Sequence, residues 1–323
     1  MRWVIVAVVC IACSHDRPPA ASGTTTPDPW AAPASPTATA DDPPGITEVH
    51  TLAEKACPRV ARPYFYRVER AGHVSYFLGT RHIGVPLSKF PSHIRRELRA
   101  AKLVVFETPP DDDDDNVSLE DPARGSLSAQ LGPELWARYR ALVGSVTADA
   151  LEHARPSAAM IMLIALYEDK LAMLDVEVEQ MVRNANIPTA GLETHQFQDQ
   201  LIEELMDIRM LRASLKGTRD RAALAKESTD DLAEYCAGTD EQPGTDPENR
   251  KELRAGGYSD ADIDRLDDKL VFARNRDWIP KLEVLLDKGG VVVVVGADHL
   301  IGKRGVIALL AARGWKTTRV TQP

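Results

Sequence analysis

The stretch "VVVVVGADHLIG", residues 291–302, opens with five consecutive valines. A run with no polar face fits a strand buried on both sides, an interior position in a parallel or mixed sheet covered by helices. β-branched side chains suit that pleated setting better than a helix. Its partner strands have to come from elsewhere in the chain. "YFYRVERAGHVSYFLGT" supplies two apolar-rich strands turning around Ala71 and Gly72, and "LVVFE" a strand from Lys102 to Phe106. "IPTAGLE" gives a short extended piece, and "KTTRVT" an edge strand after a helix that ends near Gly314. Between the two ends, "LGPELWARYRALV", "PSAAMIMLIALYEDKLAML" and several later segments carry helical apolar spacing, with Pro156 placed for a first turn. The expected fold class is therefore mixed α/β (α+β): a mixed sheet platform assembled from both chain ends, with a mainly helical middle insertion at about residues 125–285.

The first thirteen residues, "MRWVIVAVVCIAC", are one early basic residue and an apolar run too short to span a bilayer as part of a bundle, which is the pattern of an export signal. They resemble a bacterial lipoprotein signal with Cys13 as the lipidated residue; ordinary secretion and an uncleaved anchor are the alternatives. Residues 14–50, rich in Pro, Ala, Thr and Ser, read as a flexible tether, leaving 51–323 as the folded body. The expected location is the cell envelope, anchored to the outer membrane and facing the periplasm or cell surface. Cys57 and Cys236 remain in the body, either paired in an oxidising compartment or as two separate buried thiols. A net charge of -9 without a basic stripe gives no support to a nucleic-acid partner. The aspartate run 111–115 lacks the alternating ligands and glycine of a calcium loop and reads as a hydrated surface loop.

Two stretches share a local pattern. "YFLGTRHIGV" and "VVVGADHLIG" each run an apolar strand into a glycine, Gly79 or Gly296, with a histidine three residues on, His82 or His299. The crevice beyond the carboxyl ends of strands is the usual place for a site in such sheets, and imidazole suits zinc and related ions. Glu107 follows the strand "LVVF", where a buried carboxylate has to be paired or metal-bound. Glu193 in "GLETHQ" is a second carboxylate, a general base, or a cap for the following helix; His195 reads as a surface or capping residue. Arg274 and Asn275 in "ARNRDW" stand ready to hold a carboxylate, an oxyanion or a water.

With these segments in hand, "YFLGTRH", "LVVFETPP", "IPTAGLETHQFQDQLI", "ARNRDWIPKLEVLL" and "GGVVVVVGADHLIGKRGVIALLAARGW", the chain resembles the TraB/GumN family, which includes the Tiki-like metalloproteases. The resemblance implies His82, Glu107 and His299 as metal ligands, with Glu193, Arg274 and Asn275 as catalytic contributors; Glu107 as ligand with Glu193 as base is one assignment and the reverse is the other. It implies a divalent cofactor, zinc first and manganese or cobalt next, and hydrolysis of exported peptides or proteins. Asp298 stands in the second motif where small residues are common, and either adds a ligand or forms a salt bridge. The alternative is a non-catalytic exported lipoprotein that binds a metal chelate, haem or a peptide. Neither a His-Glu-x-x-His helix nor a Gly-x-Ser-x-Gly elbow occurs to support an enzyme independently.

Overall fold

In a computed structural model, residues 46–110, 122–166, 171–218, 220–240 and 247–321 are described. The export signal, Cys13, nearly all of the tether and the aspartate run lie outside the described residues. Six strands form one mixed sheet: β1 (Phe65–Arg70), β2 (His73–Thr80), β3 (Leu103–Phe106), β4 (Thr189–Gly191), β5 (Val291–Gly296) and β6 (Lys316–Arg319), in the order β4-β3-β5-β2-β1-β6. β4, β3, β5 and β2 run parallel, while β1 is antiparallel to both β2 and β6.

The valine strand lies where its composition requires. β5 sits between β3 and β2, and Val291–Val295 are each 2% exposed or less. The β1–β2 turn uses Ala71 (φ 52°) and Gly72 (φ 83°), the left-handed pair that closes a two-residue hairpin. β6 shows alternating exposure, as an edge strand should.

Two hydrophobic cores divide the chain. One surrounds the sheet and takes in Ile94 and Leu98 of the helix Ser92–Ala100, Trp278 and Leu282 of the helix Ala273–Leu286, and Val306 and Leu310 of the helix Val306–Ala311. The other is helical, drawing on Leu127, Tyr139, Met160, Leu211, Ile263 and Phe272 among others. Met160 is 1% exposed and fills that core, as methionine commonly does. The middle of the chain is not wholly given to the helical core: residues 171–192 and the end of the helix Arg221–Ala237 pack with the sheet. Cys57 and Cys236 form a disulfide, Cα to Cα 5.7 Å, joining the helix Ile46–Ala56 to the helix Arg221–Ala237. Among the described residues no helix is long and apolar enough to cross a membrane.

Candidate functional site

The four parallel strands finish on one side of the sheet. Glu107 directly follows β3, Glu193 comes two residues after β4, Gly296 ends β5, and His82 comes two residues after β2. Strand polarity thus delivers four distant segments to one rim. Arg274 and Asn275 reach it from the first turn of the helix Ala273–Leu286, which continues a π-helical turn, Asp268–Phe272. A π turn shifts the phase of a helix, and such turns concentrate at functional sites. Here the two adjacent residues grip the same imidazole: Arg274 Nη1 donates to His299 Nε2 (3.2 Å), and Asn275 Oδ1 lies 2.6 Å from Nδ1.

Arg274 is the centre of the cluster. Its Nε donates to Glu193 Oε2 (3.1 Å), Nη2 to Glu107 Oε2 (2.6 Å) and Glu193 Oε1 (2.5 Å), and Nη1 to the Leu270 carbonyl (2.9 Å) as well as to His299. All five N–H groups are therefore committed, and the residue is a clamp rather than an open anion receptor. Trp278 Nε1 donates to Glu193 Oε2 (3.1 Å), and Gln198 Nε2 lies 3.1 Å from both Glu107 Oε2 and Glu193 Oε1. Thr194, not Glu193, caps the helix His195–Leu205. His195 stays outside the cluster, with Nε2 2.9 Å from the Pro109 carbonyl.

Burial sets the charge states. It would raise Glu107, but the Arg274 guanidinium, the neighbouring imidazoles and the Gly296 N–H donating at 2.7 Å outweigh it and hold the carboxyl down at about 2. Burial pushes Glu193 up, opposed by Arg274 and Trp278. His299, 0% exposed with its ring 4.4 Å from that of Trp278, is driven down to about 3 by burial. A neutral ring donating Nδ1–H to Asn275 leaves Nε2 to accept from Arg274. Asp298, 7% exposed, is pushed up to about 8 by burial, and among the described residues its Oδ1 has no hydrogen-bond partner.

His82 has a different company. Its Nδ1 lies 2.5 Å from Asp175 Oδ2, both side chains buried, and with the carboxylate oxygen accepting Nδ1–H, Nε2 is the ring's acceptor. Asp175 is fixed because residues 172–175 are stitched to 82–84: Leu174 N–H donates to the His82 carbonyl (3.0 Å) and Gly84 N–H to the Ala172 carbonyl (2.8 Å). From the sequence, Asp175 reads as the ordinary acidic first turn of the helix Leu174–Asn184, and Gln198 as a polar position on an amphipathic one; neither carries a local signal of its role.

The two halves of the cluster meet over Gly296. A Cβ there would stand 3.4 Å from Glu107 Oε1, 3.6 Å from His299 Cδ2 and 3.8 Å from His82 Nε2, so the missing side chain leaves a cradle lined by all three. The expected metal donors thus converge in kind and in facing. In this arrangement Arg274 holds both His299 Nε2 and Glu107, and His299 Nε2 is 3.7 Å from Glu107 Oε1. Among the described residues no group of three or more His, Cys, Asp or Glu side chains is placed to hold a metal.

No curated protein and no solved structure matches the chain. Among known families, residues 64–319 match the TraB/PrgY/gumN family, a span that begins just before β1, ends with β6 and contains every residue of the cluster. Over that whole sheet and its insertion, the chain belongs to the TraB/PrgY/gumN family.

Proposed function

We propose that this protein is a hydrolase of acyl bonds, acting as a peptidase on exported peptides or proteins in the manner of the Tiki-like members it resembles. The observation that carries the reading is the Asp175–His82 pair, whose Nε2 faces the cradle over Gly296. A water in the cradle attacks the substrate carbonyl carbon and gives its proton to His82 Nε2, while Asp175 holds the ring and balances its positive charge. The carbon–nitrogen bond then breaks, the proton passes from His82 to the leaving amine, and the products are a carboxylate and an amine. Arg274 holds Glu107, Glu193 and His299 in register, and Glu107 flanks the water. Gln198 bridges both carboxylates from the helix His195–Leu205.

The test is cleavage of a mixed peptide library by the purified protein. Cleavage by wild type that falls at least a hundredfold in His82→Ala and in Asp175→Asn supports the assignment. Equal turnover by wild type and both variants overturns it.

A second reading, metal-dependent hydrolysis, is favoured by the convergence of His82, Glu107 and His299 on one cradle. It requires Arg274 to release His299. Elemental analysis of protein purified without added metal, followed by chelation during the library assay, separates the two: one equivalent of zinc, manganese or cobalt with chelator-sensitive cleavage favours the metal, and unchanged cleavage in chelator favours His82 acting with Asp175 alone. The anchoring of this activity to the outer membrane through lipidated Cys13 completes the proposal, and mass analysis of the envelope-extracted protein tests it.

A further inference from the structure

Thr80 is the last residue of β2 and pairs in parallel register with Gly296. Residues paired in this way project to the same face of a sheet, with neighbouring strands about 4.8 Å apart. The Thr80 side chain therefore stands beside the cradle that the absent Cβ of Gly296 leaves. It is 2% exposed, and among the described residues its hydroxyl has no hydrogen-bond partner. Its neighbour Gly79 faces the other way, where a Cβ would meet Tyr64 and Ala297, so the alternation along β2 agrees with the assignment.

A buried hydroxyl without a partner costs about 1–3 kcal/mol relative to a satisfied one. The strand offers no reason for a threonine here: valine has the same shape and β-branching and occupies five successive positions of the adjoining strand. A hydroxyl retained at such a place points to a ligand small enough for the space. A Cβ on Gly296 would lie 3.4 Å from Glu107 Oε1 and 3.8 Å from His82 Nε2, so both polar atoms face the bare Cα. A water bonded to several polar groups is what a buried lining of this kind holds.

We propose that Thr80 is a positioning residue whose hydroxyl, together with His82 Nε2 and Glu107 Oε1, fixes a single water over Gly296. The inference rests on the hydrolase reading for its chemical use, since this is the water that His82 deprotonates. The water site itself stands or falls separately. In the reaction Thr80 Oγ1 donates to the water oxygen, and the water points one proton at His82 and the other at Glu107. That aims an oxygen lone pair away from all three, toward an incoming carbonyl carbon.

The test uses the intact protein, Thr80→Val, which removes only the hydroxyl, and Thr80→Ser, which restores it. Crystal structures at a resolution that shows ordered water are the first readout. A water within hydrogen-bond distance of Thr80 Oγ1 and His82 Nε2 in wild type, lost in T80V and regained in T80S, supports the proposal. In peptide hydrolysis T80V lowers kcat about a hundredfold with KM held within about twofold, and T80S recovers most of the loss. Wild-type crystals with no water at this position, or with a metal ion there instead, overturn it. So does a T80V protein that melts higher than wild type and hydrolyses peptide equally fast, because that is the behaviour of an idle buried hydroxyl. Should wild type cleave nothing, the hydrolase reading fails, and the crystal structures and melting curves still decide the water site.

Discussion

Gly79 and Gly296 each precede a histidine by three residues at the ends of adjacent parallel strands, yet a methyl group would meet quite different surroundings at the two positions. At Gly79 it would stand 2.7 Å from Tyr64 Cβ and 2.9 Å from Ala297 Cα, with no room between a core side chain and backbone. At Gly296 the nearest atoms are those of Glu107, His299 and His82, all at ordinary contact distance. The histidines divide likewise. His82 is aimed by a carboxylate toward the cradle, whereas His299 is locked by Asn275, Arg274 and the Trp278 ring. Of two similar stretches, one aims an imidazole at the cradle and the other builds the wall opposite it.

The sharpest way to break this contrast is to remove each histidine. His82→Ala should abolish peptide hydrolysis by about a thousandfold or more while its melting temperature stays closer to wild type. His299→Ala should instead unfold at lower denaturant, by about 3 kcal/mol, since it opens a cavity beside Trp278 and strands an acceptor on Asn275 and a donor on Arg274. Equal stability losses in the two variants would dissolve the distinction.

Arg274→Leu comes next. It leaves Glu107 and Glu193 buried beside each other without their shared cation, and urea unfolding should show a loss of about 3–5 kcal/mol. A loss under about 1 kcal/mol would mean that the clamp is slack.

The wall should also announce itself through pH. Asp298 moves from 3.8 in the unfolded chain to about 8 when folded, so the folded state holds its proton more tightly. Its contribution is fully present below about pH 4 and is lost as pH rises toward about 8. His299, lowered from 6.5 to about 3, contributes in the opposite sense, and that stability disappears only as pH falls below about 6.5. Between pH 6.5 and 8 only the Asp298 slope remains of the two, about 2 kcal/mol of lost stability. Denaturant midpoints across that window should fall in wild type and stay flatter in Asp298→Asn; parallel curves would remove Asp298 as the cause.

The smallest effects come from the glycines. Gly79→Ala should destabilise by about 1–3 kcal/mol through overpacking against backbone. Gly296→Ala should stay within about 1 kcal/mol of wild type and still lose peptide hydrolysis, because its methyl group fills the cradle. Retained turnover in Gly296→Ala would place the reaction elsewhere.

Much of this architecture was legible from local pattern. Five valines favour an interior strand, and the polarity of four parallel strands then brings Glu107, Glu193, His82 and Gly296 to a common rim. What pattern could not supply were partners chosen by packing. Asp175 meets His82 only because residues 172–175 dock on 82–84, a contact with no counterpart in spacing. Gln198 is likewise indistinguishable from any other polar helix position until the helix His195–Leu205 is laid over the carboxylates. The saturation of Arg274 is a property of five simultaneous bonds, and no reading of "ARNRDW" distinguishes a clamp from an open receptor.

The placement of β5 also bears on when the molecule comes into being. β1, β2, β3 and β4 are all synthesised before residue 192, but without β5 they form only two unconnected pieces, a hairpin and a two-stranded parallel pair. The strand that joins them is made nearly a hundred residues later and brings Gly296 and His299 with it. Bridging so long a stretch of chain makes this joining a late and slow event in folding. A nascent or truncated chain that stops short of residue 291 therefore carries His82 and Glu107 on separate pieces of sheet, so that completion of the sheet and assembly of the buried polar cluster come together.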